Sequence, residues 1–151
     1  MRDPNERDMR SLLATRATAA VVIIRLMVGA VFVSEGIQKF LFPADVGAGR
    51  FERIGIPSPE MVAPLVGCFE IGSGLLVLFG IVTRLAVVPL IIIMLTAIAT
   101  TKIPILVEQG FWKMAHEART DWSMLLGSVF LLIVGGGQWS FDAVWTRNRK
   151  P

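Results

Sequence analysis

The 151-residue chain has no tyrosine, one cysteine and one histidine, and only 18% of its residues are charged, against about 25% in an average soluble domain. The lone Cys68 can close no intramolecular disulfide, and without a C-x-x-C pair there is no dithiol relay. The lone His116 can build neither a His-rich metal site nor a bis-histidine haem, and no spacing recommends a haem held by His116 and a methionine. No metal centre is expected. Gly135-Gly136-Gly137 is not a phosphate loop, since no strand precedes it and no G-K-[ST] follows. The fifteen basic residues outnumber the twelve acidic ones. They gather toward the chain ends without interleaved aromatics, which excludes nucleic acid as a partner and suits anionic lipid headgroups.

What is present is apolar: 54% of the residues are hydrophobic and the mean hydropathy is +0.64. Four runs stand out, at residues 17–41, 61–82, 85–101 and 122–139. Each fits the 17–25 residues or so of a membrane-spanning helix. A chain this short cannot enclose four such helices in a water-soluble shell. The fold class expected is therefore all-α, a polytopic four-helix transmembrane bundle. Residues 1–16 form an N-terminal segment, 17–142 the membrane domain and 143–151 a basic tail. The first run is too long for a signal-peptide core and carries Arg25. Thr83 and Arg84 make a tight hairpin between spans two and three. Residues 43–60, rich in Gly and Pro, read as an ordered loop. Residues 102–121, mixing Phe111, Trp112 and His116 with charges, read as a short interfacial helix, with an extension of span three as the alternative. Four spans put both termini on one side with eight basic residues against six, so the positive-inside rule places them in the cytoplasm.

Arg25 and Glu70 carry the most information, because an exposed charge inside a membrane costs from about 2.5 to over 10 kcal/mol. With the span ends matched, an Arg25–Glu70 ion pair is the natural expectation. Gly67, Glu70 and Gly74 share one helical face, and Arg25, Gly29, Gly36 and Lys39 fall along one side of span one. Small residues beside the charges favour close helix contact. Glu35 and Lys39 form an i,i+4 pair at the outer end of span one, where a pocket or vestibule is expected. His116 reads as an interfacial histidine, with proton transfer as its functional alternative. Cys68 should face away from Glu70, as packing only. Trp112, Trp122 and Trp139 fall at span ends, where indoles anchor at headgroups. Ser140 and Asp142 can cap a short terminal turn after the glycines.

The motifs, in order, are Arg25-Leu-Met-Val-Gly29, Glu35-Gly-Ile-Gln-Lys39-Phe40, Gly55-Ile-Pro57-Ser-Pro59, Glu70-Ile-Gly-Ser-Gly74, Gly80-Ile-Val-Thr-Arg84 and Gly135-Gly-Gly-Gln-Trp-Ser140-Phe-Asp142. In this order and spacing the chain resembles the DoxX family of small bacterial and archaeal membrane proteins. The resemblance implies a four-helix membrane bundle in a cell membrane and supports Arg25, Glu35, Lys39 and Glu70 as the residues of interest. The family takes its name from a subunit of an archaeal thiosulfate:quinone oxidoreductase, and most members have no established reaction.

Three functions compete. The first is a membrane subunit of a redox complex, not a self-sufficient enzyme, with a quinone-binding cleft lined by Arg25, Glu35, Lys39 and Glu70. The chain shows no flavin, haem or iron–sulfur signature, so a partner protein would supply the electrons. The second is a non-enzymatic scaffold or assembly factor stapled by Arg25–Glu70, in which reversing both charges should restore what either single change destroys. The third is a small transporter, which would need a homo-oligomer because no inverted repeat is visible.

Overall fold

The computed structural model describes residues 19–148, all of whose regular structure is helical. The N-terminal basic segment and the last three residues, expected to carry much of the positive charge, lie outside the described residues. Helix α1 spans Val21–Leu41, α2 Ala48–Arg53, α3 Pro59–Phe79 and α4 Thr83–Ala97. A π turn at Ile98–Lys102 leads into α5, Ile103–Gln109, then α6, Phe111–Glu117, α7, Arg119–Val134, and α8, Phe141–Asn148.

Three helical stretches are long and apolar enough to cross a membrane: Val21–Leu41, Pro59–Phe79 and Thr83–Gln109. The fourth expected span is shorter than its sequence suggests. The apolar run reaches Trp139, but α7 has 16 residues and stops at Val134, where Gly135 adopts φ 85°. The third is longer than expected. Pro104, within the segment expected to be interfacial, sits in the first turn of α5, where its missing N–H costs least. Helix therefore continues for 27 residues, about 40 Å. Only α6 remains of the expected interfacial helix, and it carries His116, which is solvent-exposed. Within α6, Lys113 lies 2.9 Å from Glu117 one turn on, and that ammonium holds the Glu117 carboxyl below its ordinary range.

The antiparallel pair α1–α3 forms the most extensive interface, and α4 packs on both α3 and α7. Glycine sets the α1–α3 approach. A Cβ on Gly36 would lie 2.7 Å from the Gly67 carbonyl oxygen, and one on Gly74 would lie 3.0 Å from that of Gly29. Backbone meets backbone at both levels, the small-residue packing that membrane helices use in place of a hydrophobic driving force. Val28, Phe32, Val77, Val87, Leu90 and Leu131 fill the centre, each at most 1% exposed. Leu26, Leu65, Phe69, Leu126 and Ile133 point outward, an inverted polarity that suits lipid rather than water.

Gly36→Ala forces the two helices apart against a backbone oxygen and is expected to destabilise the bundle by about 1–3 kcal/mol. Gly72→Ala, where an added Cβ meets nothing within 4 Å, should leave stability unchanged or slightly raised. Equilibrium unfolding in mixed micelles measures both, and equal behaviour of the two variants would refute the packing argument.

Candidate functional site

The polar residues singled out in the sequence separate into two groups at opposite ends of the bundle. Arg25, near the start of α1, is 3% exposed, and among the described residues its hydrogen bonds all go to backbone carbonyls. Its Nε donates to Val77 O at 2.9 Å, Nη2 to Leu78 O, and Nη1 to Gly136 O at 3.1 Å and to Trp139 O. Val77 and Leu78 belong to the last turn of α3, whose carbonyls have no partner within their own helix. The guanidinium thus caps α3 from outside, a cation at the negative end of the helix dipole. Gly80 ends α3 in the left-handed region at φ 68°, and a Cβ there would lie 2.8 Å from Arg25 Cζ. Two constraints select glycine at this position.

Asp142 completes this end. Its carboxylate accepts from Val82 N at 2.7 Å and Thr83 N at 2.9 Å, an anion at the N-terminus of α4. These bonds hold Val82 at φ 42°, a conformation that a β-branched residue adopts only under external constraint. The hairpin therefore turns at Gly80–Val82, just before the Thr83 and Arg84 expected to form it. Ser140 caps α8 as expected, accepting from Ala143 N at 3.1 Å. Asp142 instead caps a helix 59 residues away.

The expected Arg25–Glu70 pair is not formed. The glycine contacts set a register that puts Arg25 level with Leu78, eight residues or about 12 Å along the axis from Glu70. Glu70 pairs with Lys39: Nζ–Oε2 is 2.7 Å, and the two side chains are 9% and 3% exposed. Glu35 is therefore not the partner of Lys39, although it stays within electrostatic reach of Glu70. Cys68 points outward and is exposed.

Lys39 and Glu35 line a cavity of about 690 Å³ at the end away from Arg25. One wall is Val31, Phe32, Glu35 and Lys39 of α1, and another is Arg50 and Phe51 of α2 with Ile54 and Ile56 after it. The far wall combines Ile92, Ile93, Met94, Thr96 and Ala97 of α4, Thr100, Thr101 and Lys102 of the π turn, and Thr120, Asp121 and Met124 of α7. Lys102, at the last position of the π turn, is 3.2 Å from Asp121 through Nζ–Oδ2. It forms a second, largely buried ion pair that sequence reading assigned to an interfacial segment. Thr100 and Thr101 bond back to the Thr96 and Ala97 carbonyls at 2.8 and 2.6 Å, occupying acceptors that the widened turn releases. The signal available in sequence was the pair of threonines followed by a lysine at the end of an uncharged apolar run; π turns gather at functional sites.

The lining carries three cations, Lys39, Arg50 and Lys102, and two carboxylates, Glu35 and Asp121. Glu70 behind Lys39 brings the formal charge to zero. The size falls within the roughly 300–1,000 Å³ of small-molecule pockets, which are likewise mostly apolar with a few placed polar groups. Among the described residues, no group of three or more His, Cys, Asp and Glu side chains is placed to hold a metal ion.

The DoxX family profile matches residues 20–103, more than half of the chain. The chain belongs to the DoxX family. It is 54% identical over 137 residues, covering 87% of this chain and 84% of the relative, to "Uncharacterized membrane protein Rv3486" of Mycobacterium tuberculosis (strain ATCC 25618 / H37Rv). It is 27% identical over 129 residues, covering 85% and 89%, to "Putative oxidoreductase CatD" of Bacillus subtilis (strain 168). No solved structure matches.

The pairing yields a direct test. Reversing Arg25 and Glu70 together should not rescue either single variant, because the two side chains contact different groups. Lys39→Glu with Glu70→Lys should restore most of the roughly 3–5 kcal/mol lost when either partner is changed alone. Thermal unfolding of the six variants, four single and two double, in one detergent decides the matter; rescue by the first swap would overturn the register.

Proposed function

We propose that this DoxX-family protein is the membrane subunit of a redox complex and that the cavity lined by Lys39 and Lys102 is its quinone-binding cleft. The observation that carries the reading is the neutral, mainly apolar cavity with two partly buried lysine ammonium groups on its walls. Such a lining suits an uncharged ring with acceptor oxygens and an apolar substituent. The ring would lie among Phe32, Phe51 and Ile92, with Lys39 donating to a carbonyl oxygen. A bound quinone supplies two-electron, two-proton redox chemistry. Reduction of a bound quinone by electrons from a partner takes up two protons, which the Lys39 and Lys102 ammonium groups would donate and regain from water, with Glu70, Asp121 and Glu35 as the carboxylates beside them. Electrons come from a partner protein, in keeping with the oxidoreductase named among the relatives.

Arg25 and Asp142 take no part in this cleft; their bonds are those of helix caps. His116, exposed on α6, also lies outside it. A through-path is disfavoured by the apolar plug of Val28, Val77, Val87, Leu90 and Leu131, all fully buried, beyond the inner end of the cavity. In the proposed orientation the termini and the Arg25 end face the cytoplasm, and the cavity lies toward the outer face of a cell membrane.

Reconstituted in nanodiscs, the protein should bind a short-chain 1,4-benzoquinone saturably, read by displacement of the bound ligand into lipid-free buffer. Lys39→Met with Glu70→Gln removes the donor without stranding a carboxylate and should weaken binding about tenfold or more. Partitioning indistinguishable from empty nanodiscs would refute the reading.

A further inference from the structure

Helix α8, Phe141–Asn148, is tied to the turn between α3 and α4. Asp142 N donates to Gly80 O at 3.0 Å, and its carboxylate accepts from the amides of Val82 and Thr83. That attachment sets its depth. It starts level with the last turn of α3 and the first turn of α4, at the ends of two membrane-spanning helices, where acyl chains give way to headgroups. The helix has three faces. Phe141, Val144 and Trp145, at i, i+3 and i+4, share one and are 60%, 44% and 54% exposed. Asp142 and Thr146 share the second: Asp142 is buried, and the Thr146 hydroxyl donates to the Asp142 and Ala143 carbonyls at 3.0 and 3.1 Å. Arg147, exposed, stands on the third. Helical periodicity sets the three about 120° apart. A helix lying in the membrane plane beside a bundle meets protein, acyl chains and headgroups, and α8 has one face for each.

We propose that α8 is an in-plane membrane anchor: Phe141, Val144 and Trp145 enter the acyl chains of the leaflet at the Arg25 end, and Arg147 with the basic residues after it meets anionic headgroups. Charge selects the lipid. The Asp142 carboxylate is taken up by the α4 amides, and beyond it the side-chain charges are all positive, Arg147, Arg149 and Lys150, a pattern that attracts anionic lipid. Trp139, 70% exposed just before the helix, adds an indole of the kind that settles at headgroup level. A second copy of the chain is a poorer occupant of the apolar face. Three side chains on an eight-residue helix bury far less than the roughly 800 Å² per partner of a stable protein interface. The anchor is independent of the cavity reading, since α8 and the cavity lie at opposite ends of the bundle.

The test uses the full chain in nanodiscs of phosphatidylcholine and phosphatidylglycerol. Cys68→Ser removes the lone cysteine, and a nitroxide is attached through Val144→Cys or Arg147→Cys. Relaxation by oxygen, which partitions into lipid, and by a water-soluble nickel chelate gives the depth of each label. The label at position 144 should lie about 5–10 Å below the headgroup boundary, open to oxygen and closed to nickel, and the label at position 147 should show the reverse. Equal nickel access at the two positions would place α8 in water and overturn the anchor. Protection of position 144 from both relaxants would overturn it as well, because protein then covers the face. Phe141→Cys, on the same face, keeps the measurement decisive if Val144→Cys does not fold. Spin-labelled lipids read the headgroup contact. Arg147→Gln with Arg149→Gln and Lys150→Gln should lower the preference for phosphatidylglycerol over phosphatidylcholine about fivefold or more; an unchanged preference would refute the anionic contact.

Discussion

The fold depends on one buried guanidinium. Arg25 binds carbonyl oxygens of α3 and of the loop that follows α7, so α1, α3 and the chain leading into α8 share a single fixing point. Few other side chains can do this. Four acceptors around one planar fork need separate donors in fixed directions, which lysine lacks. An arginine surrounded only by carbonyl dipoles would remain an under-compensated buried charge. Asp142 supplies the compensation, close enough to interact electrostatically with Arg25 while its oxygens hold the first amides of α4. One cation at a helix C-terminus and one anion at the next helix N-terminus thus define the hairpin between two spans. Each is favoured by the dipole it faces.

Securing one end leaves the other free to enclose space. Below the centre the core is closed by Phe32, Leu90 and Leu131. Above it the helices are separated by the π turn and by α2, and the cavity occupies the gap. The two lysine–carboxylate pairs belong to this second end. Buried ion pairs are weak sources of stability, because apolar replacements of similar volume are often neutral or better. Their position on the wall of a cavity, rather than within the packed centre, therefore supports a role in binding. Arg25 is the opposite case: its bonds are all directed at structure.

The parts legible in the sequence were those written in side-chain spacing. The stripe of Gly67, Glu70 and Gly74 predicts a buried face, and all three residues are buried against α1. The vestibule beside Glu35 and Lys39 was likewise expected where the cavity lies. The partner of Arg25 was not legible, because backbone carbonyls exist at every residue and leave no mark on the sequence. Matching span ends by hydropathy also misplaced the α1–α3 register, and Glu70 became the apparent counter-ion by default. Glycine-to-glycine contacts, not span ends, fix that register. Lys102 was missed for a different reason. Residues 102–121 mix apolar and charged side chains and so read as interfacial, and the π turn that ends at Lys102 has no reliable sequence signature.

The early end of α7 follows from the same guanidinium. Its 16 residues measure about 24 Å, short of the roughly 30 Å hydrocarbon core, while the apolar sequence continues to Trp139. Non-helical backbone at such depth is tolerated only where its polar groups are satisfied within the protein. Gly135, Gly136 and Gly137 are buried, and their segment meets that condition. Arg25 takes the carbonyls of Gly136 and Trp139, and the Ser140 hydroxyl donates to Gly137 O at 2.6 Å. Glycine is required because a Cβ on Gly136 would lie 2.7 Å from the fully buried Thr83 Oγ1. The helix can therefore stop five residues before the apolar run does, because an arginine more than a hundred residues earlier supplies the hydrogen bonds that further helical turns would have made.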